Sequence, residues 1–117
     1  MTPLPPGTRI YLACQPIDMR KGMYSLAAEV SAMLHADPYS GQVFVFRGRS
    51  GDYVKILHWD GTGLCLFAKR LEAGRFVWPP VVHEQLCLTP AQLALLLEGI
   101  DWRRTVQNAV VFRPSAA

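Results

Sequence analysis

The side chains of this chain best suited to chemistry are its cations, and the chemistry they suit is anion binding. Arg47 and Arg49 flank a glycine-bearing turn, Lys69 and Arg70 end one apolar run, and Arg75 begins the next. Arg20 and Lys21 lie at the start of a helical pattern, and Arg103 with Arg104 follows Trp102. Interleaved with Tyr53, Trp59 and Trp78, these residues describe a surface that grips phosphates and stacks on bases or grooves. The same spacing also describes solvated ends of core strands whose aliphatic stems cover aromatic rings. The candidate DNA-contacting set is Arg20, Lys21, Arg47, Arg49, Lys69, Arg70, Arg75 and Arg103. Arg47 and Arg49 read as exposed turn charges that glutamate could replace without loss of the fold.

Catalytic constellations are not apparent. Asp52 and Asp60 sit beside turn glycines, Asp37 precedes a proline and Asp18 stands at a helix start, so each carboxylate has an ordinary local role instead of a magnesium-binding one. His83 and Cys87 are four apart, but Cys14 and Cys65 supply no companion pair at zinc-ligand spacing. There is no nucleophile elbow and no glycine-rich phosphate loop opening a helix. We therefore expect no catalytic residues, no metal and no cofactor, and a protein that is not an enzyme.

Charge bounds the partners. Nine of the twelve basic residues are arginine and the formal net charge is +3, with a pI near 9.0, which favours a polyanionic partner without the basicity needed to wrap nucleic acid by charge alone. An odd number of cysteines at unpaired spacing, with no secretory signal or long apolar span at the N-terminus, gives a reduced, cytoplasmic setting as the expectation.

The elements that must position these cations centre on Val43 to Trp78. Four β-branched and aromatic runs separated by short glycine-bearing turns predict an antiparallel meander. If Asp60 to Gly63 is a four-residue loop, Trp59 faces Leu64, Leu57 faces Leu66, Lys55 faces Ala68 and Tyr53 faces Arg70. Leu57, Trp59, Leu64 and Leu66 then share one face with Lys55, Tyr53 and Arg70 at its far end, while Val54, Ile56, Cys65 and Phe67 take the other. Neither face is polar throughout, so both require cover by helices, by the tail or by a second copy of the chain. Thr8 to Ala13 alternates as a strand that could join the sheet. Met23 to Leu34 has helical periodicity with Asp18 able to cap it, and Thr89-Pro90-Ala91-Gln92 is a capping box opening a helix to Leu97, with Gly99 as its stop. Val81 to Leu88 is irregular apart from a short strand near Leu86. The fold class is α+β: an antiparallel β-meander of four to five strands with two packed α-helices in a single domain over residues 1–117. Its ordered core is 8–104, between a flexible proline-rich lead-in and a flexible tail.

Several motifs in order carry a family resemblance. They are Asp-Met-Arg-Lys-Gly at 18–22, Phe-Arg-Gly-Arg-Ser-Gly-Asp at 46–52 and Lys-Ile-Leu-His-Trp-Asp-Gly-Thr-Gly at 55–63. Further on come Leu-Phe-Ala-Lys-Arg-Leu-Glu-Ala-Gly-Arg-Phe-Val-Trp-Pro at 66–79, Leu-Thr-Pro-Ala-Gln-Leu at 88–93 and Leu-Leu-Glu-Gly-Ile-Asp-Trp at 96–102. Together, from about Pro5 to Arg103, they resemble the TnpB accessory proteins, products of the second open reading frame in the insertion sequence sixty-six family. His58 departs from the pattern, standing where a bulkier apolar or aromatic residue is expected, and the tail matches nothing. The resemblance implies a bacterial mobile-element protein that assists transposition beside a separate acidic-triad transposase, with no catalytic residues to carry over. Two readings follow: a factor that binds DNA at or near element ends, or an interaction module that binds the transposase without touching DNA. Neither involves a membrane, and both admit a homo-oligomer formed through an uncovered sheet face.

Overall fold

The computed structural model describes residues 4–80 and 85–105. Its elements run β1 (Ile10–Ala13), α1 (Met23–Leu34), β2 (Val43–Arg47), β3 (Tyr53–Trp59), β4 (Leu64–Arg70), β5 (Gln85–Leu88), α2 (Pro90–Leu97) and a 3₁₀ turn, Trp102–Thr105. Residues 1–3 of the lead-in, 81–84 and 106–117 of the tail lie outside the described residues.

The domain is α+β, but the sheet is mixed, with strand order β4-β3-β2-β1-β5. Strands β2, β3 and β4 form the expected antiparallel series, and the β3–β4 register pairs Tyr53 with Arg70, Lys55 with Ala68, Leu57 with Leu66 and Trp59 with Leu64. The expected fourth meander strand is absent. Residues 75–78 cross one face of the sheet instead: the Phe76 N–H donates to Gly51 O at 2.9 Å, and Phe76 is buried in the core. Its place in the sheet is taken from the other side. Strand β1 lies parallel to β2, and β5 pairs antiparallel with β1. A parallel neighbour requires a crossover, and the twelve residues of α1 supply it.

Both faces of the sheet are apolar and each has its own cover, as the alternation requires. Ile10, Leu12, Val43, Val45, Val54 and Ile56 pack with Leu93 and Leu96 of α2 and with Phe76 and Trp102. Tyr11, Ala13, Phe44, Phe46 and Leu57 pack with Leu26, Ala27, Val30 and Leu34 of α1. Thus β2 reads as one unbroken apolar run because it is buried on both sides.

The capping box of α2 is complete: Thr89 Oγ1 accepts from the Gln92 N–H at 3.1 Å and Gln92 Oε1 accepts from the Thr89 N–H at 2.8 Å. Gly99 follows the helix with φ of 74°, the left-handed region glycine favours. Asp18, by contrast, does not cap α1. The N-cap is Gly22, without a side-chain acceptor, and the Asp18 carboxylate turns back to accept from the Arg20 N–H at 2.9 Å.

The β3–β4 loop is held by Asp60, whose Oδ1 accepts from the N–H groups of Thr62 and Gly63, both at 2.9 Å. These bonds favour the ionised form and hold the carboxyl down to about 2. An unfolded aspartate titrates near 3.9, so the folded value is the lower one. The stabilisation is therefore present above about pH 4 and lost as pH falls towards 2. Urea midpoints should fall across that window, and Asp60→Asn, which keeps the acceptor and removes the titration, should flatten part of the fall. An unchanged pH profile in the variant would show that the loop contributes nothing to acid sensitivity.

Candidate nucleic-acid interface

Two loops meet on the α1 side of the sheet. The segment after β1 is tied to the end of β2 by the Ile17 N–H, which donates to Arg47 O at 3.0 Å. It is tied to β3 by Lys55, a nearly buried lysine whose Nζ donates to Lys21 O at 2.8 Å. The approach depends on Gly48, because a Cβ there would meet Met19 Cγ at 2.6 Å. Between the loops runs a groove of about 480 Å³ whose charged lining is Arg20, Arg49, Arg70 and Asp18. Three arginines against one aspartate leave it cationic.

The arginines differ in how they are held. Arg20 forks onto Asp18, with Nη2 to Oδ2 at 2.7 Å and Nε to Oδ1 at 3.0 Å, and this pairing holds the Asp18 carboxyl well below the usual carboxylate range. Arg70 lies over the Tyr53 ring at 4.4 Å from its centroid, so the ring orients the guanidinium. Arg49 is exposed on the β2–β3 turn and has no hydrogen bond or ion pair among the described residues. Asp52 is nearby but committed: the Ser50 hydroxyl donates to it, and with Arg70 and Arg75 it holds its carboxyl low. In a groove of this kind phosphate oxygens can accept hydrogen bonds from Arg49 and Arg70, with Arg20 available where an incoming anion displaces Asp18.

The other five cations of the candidate set do not line the groove. Lys21 pairs with Glu29 at 3.3 Å. Lys69 points to the opposite face, where Nζ donates to Leu97 O at 2.7 Å and places a cation at the C-terminus of α2. Arg75 packs its stem beside Gly51, and Arg103 pairs with Asp101 at 3.1 Å. Arg47 departs furthest from the sequence expectation. It is partly buried on the α2 side over Trp78, 5.1 Å from the ring centroid, and its Nη1 makes a long 3.5 Å bond to Pro79 O. Its Nε is shut off from solvent without a partner among the described residues, and burial pulls its pKa down. Glutamate at 47 would therefore put a carboxylate against Trp78 and disturb the fold, which an exposed turn charge would not do.

The aromatic residues form no common stacking platform. Tyr53 lies under Arg70, Trp59 packs edge-on against Tyr39 at 5.6 Å, and Trp78 packs against Phe76 while its Nε1 donates to Gly51 O at 3.0 Å. The types and spacing of the cations do not point to Ile17, Asp18 and Met19 as a wall of the groove; the local signal for them is the charged run Asp-Met-Arg-Lys-Gly at 18–22, in which Asp18 and Arg20 stand close enough to pair.

Among the described residues no three His, Cys, Asp or Glu side chains gather as metal ligands; His83 lies outside them. Cys14 is buried, which pushes its thiol up to about 11. No helix among the described residues is long and apolar enough to cross a membrane.

Comparison with known proteins identifies the family of the chain. The family described as IS66 Orf2 like protein matches residues 8–107. The chain is 45% identical over 109 residues to uncharacterized protein y4jC of Sinorhizobium fredii (strain NBRC 101917 / NGR234), covering 93% of this chain and 92% of that one. It is 48% identical over 103 residues to uncharacterized protein y4hO of the same strain, covering 88% and 90% respectively. No solved structure matches the chain. A match that begins before β1 and runs past the 3₁₀ turn takes in every element of the sheet and both helices, and on it the chain belongs to the IS66 Orf2-like family of insertion-sequence accessory proteins.

Proposed function

We propose that the protein assists transposition of its element without catalysing it, by holding DNA at or near the element ends through the phosphate backbone, alongside the element's transposase. The observation that carries this reading is the groove between the 17–20 loop and the β2–β3 turn, where Arg20, Arg49 and Arg70 converge against a single aspartate. Backbone contact is favoured over base stacking because Tyr53, Trp59 and Trp78 already have intramolecular partners. Phosphate contacts position a protein on the duplex and carry little sequence information.

Fluorescence anisotropy with an element-end duplex and an unrelated duplex of equal length, each at two salt concentrations, tests the reading. Both duplexes should bind with affinities within a few-fold, and both affinities should fall steeply as salt rises, since each neutralised phosphate adds about 0.9 to the log-log slope. Absence of binding to either duplex at low salt would give first place to the interaction-module reading, in which the transposase is the partner and DNA is not touched.

A further inference from the structure

Strand β4 is an edge of the sheet, and it carries few of the devices that keep edges from pairing. Its seven residues contain no proline, their register with β3 is unbroken from end to end, and charge is confined to Lys69 and Arg70 at one terminus. Cys65, Phe67 and Ala68 on it are exposed, Phe67 to 37%.

The direction of its free backbone groups follows from the turns at either end. The Leu71 N–H donates to Asp52 O at 2.9 Å and the Asp60 N–H donates to Gly63 O at 3.1 Å. In an antiparallel pair, hydrogen-bonded positions recur every second residue. Gly63, Cys65, Phe67, Lys69 and Leu71 thus direct their N–H and C=O groups inward to β3. Leu64, Leu66, Ala68 and Arg70 direct theirs outward, where no backbone partner is found among the described residues.

We propose that this edge is an interface between two copies of the chain, in which β4 pairs antiparallel with β4 of a second copy about a two-fold axis at Phe67. The outward set is self-complementary in that register: Leu64 lies opposite Arg70 of the second copy and Leu66 opposite Ala68, giving about eight inter-strand hydrogen bonds. Phe67 meets its own counterpart on the α2 side, and the contact buries an exposed ring. Charge selects the same direction. Cys65 Sγ lies 3.5 Å from Asp60 Oδ2, and the register sets Cys65 opposite Lys69 of the second copy, so the acidic start of one strand meets the basic end of the other. A parallel pairing would align like charges instead.

Side chains on directly paired residues share a face, so the resulting sheet carries both α1 helices, and both basic grooves, on one side. The two Arg70 Cα atoms would be separated by roughly 20 Å along the strand direction. The pairing itself rests on β4 and not on DNA binding.

Sedimentation of the full chain at about 100 μM should give a dimer. Ala68→Pro removes an outward N–H that β3 does not use, and should give a monomer with an unchanged circular dichroism spectrum. Phe67→Cys in a Cys65→Ser background should cross-link on oxidation, because the axial pair holds its Cα atoms about 4.5 Å apart, within the roughly 4.4–6.8 Å that a disulfide spans. Glu72→Cys in the same background should not, since the register sets it opposite Thr62. A monomeric parent, a dimer indifferent to Ala68→Pro, or no cross-link at position 67 would each overturn the interface and leave the edge to another occupant, such as a different chain or the protein's own tail.

Discussion

Replacing Arg49 and Arg70 together with glutamate should cost on the order of a hundredfold in DNA affinity near 50 mM salt, because two phosphate-facing charges turn from attraction to repulsion. The log-log salt slope should fall by about 1.8, the contribution of two phosphate contacts. The loss should be the same for element-end and unrelated duplexes, as expected for side chains that contact the backbone without reading bases. Neither substitution touches the core. Arg49 is on an exposed turn and Arg70 is exposed at the end of an edge strand, so the variant should keep its circular dichroism spectrum and unfold within about 0.5 kcal/mol of the parent per substitution. Arg47 is left alone because it is partly buried over Trp78. As a control, Arg103→Glu alters a cation outside the groove that is paired with Asp101, and it should leave the slope nearly unchanged. If the double variant stays folded, binds DNA as well as the parent and still fails to support transposition, the arginines serve a protein partner and the interaction-module reading prevails.

That experiment uses Arg49 and Arg70 and spares Arg47, a distinction drawn from the structure alone. All three flank apolar runs and glycine turns in the sequence, and nothing local separates them. Arg47 is set apart by the residues that arrive over it: Trp78 and Pro79 lie some thirty positions later and meet its guanidinium. The fold divides the same way. Helices α1 and α2 have the bounds that periodicity and the Thr89–Gln92 box indicate, and the β3–β4 register follows from the length of the Asp60–Gly63 loop. All of these are set by residues close in sequence. The parallel placement of β1 beside β2 and the pairing of β5 with β1 are long-range, and no local pattern encodes them. Residues 75–78 have strand-like composition because Phe76 and Trp78 are needed as cover for the sheet, and aromatic side chains suit either use. The groove was half legible: its arginines lie beside turns, but its other wall comes from residues 17–20, brought there by Lys55 and by the space at Gly48.

Trp102→Ala should have the largest effect on stability. Trp102 is 1% exposed and packs with Phe76, Leu93 and Leu96, closing the α2 side of the sheet after the chain has left the helix at Gly99. Its Nε1 donates to Val77 O at 2.7 Å, which fixes residues 75–78 against the sheet in place of a ladder. Truncation removes a large buried side chain and leaves a cavity, a loss of about 3–5 kcal/mol, and takes the indole donor from the Val77 carbonyl as well. Against a total of roughly 5–15 kcal/mol for a domain of this kind, the variant should be close to the limit of folding at 25 °C. Trp102→Phe keeps much of the packing and loses the donor, so it should fall between parent and alanine variant in urea unfolding. The groove lies on the α1 side, and neither Trp102 nor Val77 lines it. Below the melting temperature, the folded fraction of either variant should therefore show the parent's salt slope on DNA, with affinity scaled only by the fraction folded. A loss under about 1 kcal/mol on truncation would mean that Trp102 is not what closes the α2 side. A changed salt slope in the folded protein would mean that the two faces of the sheet are coupled.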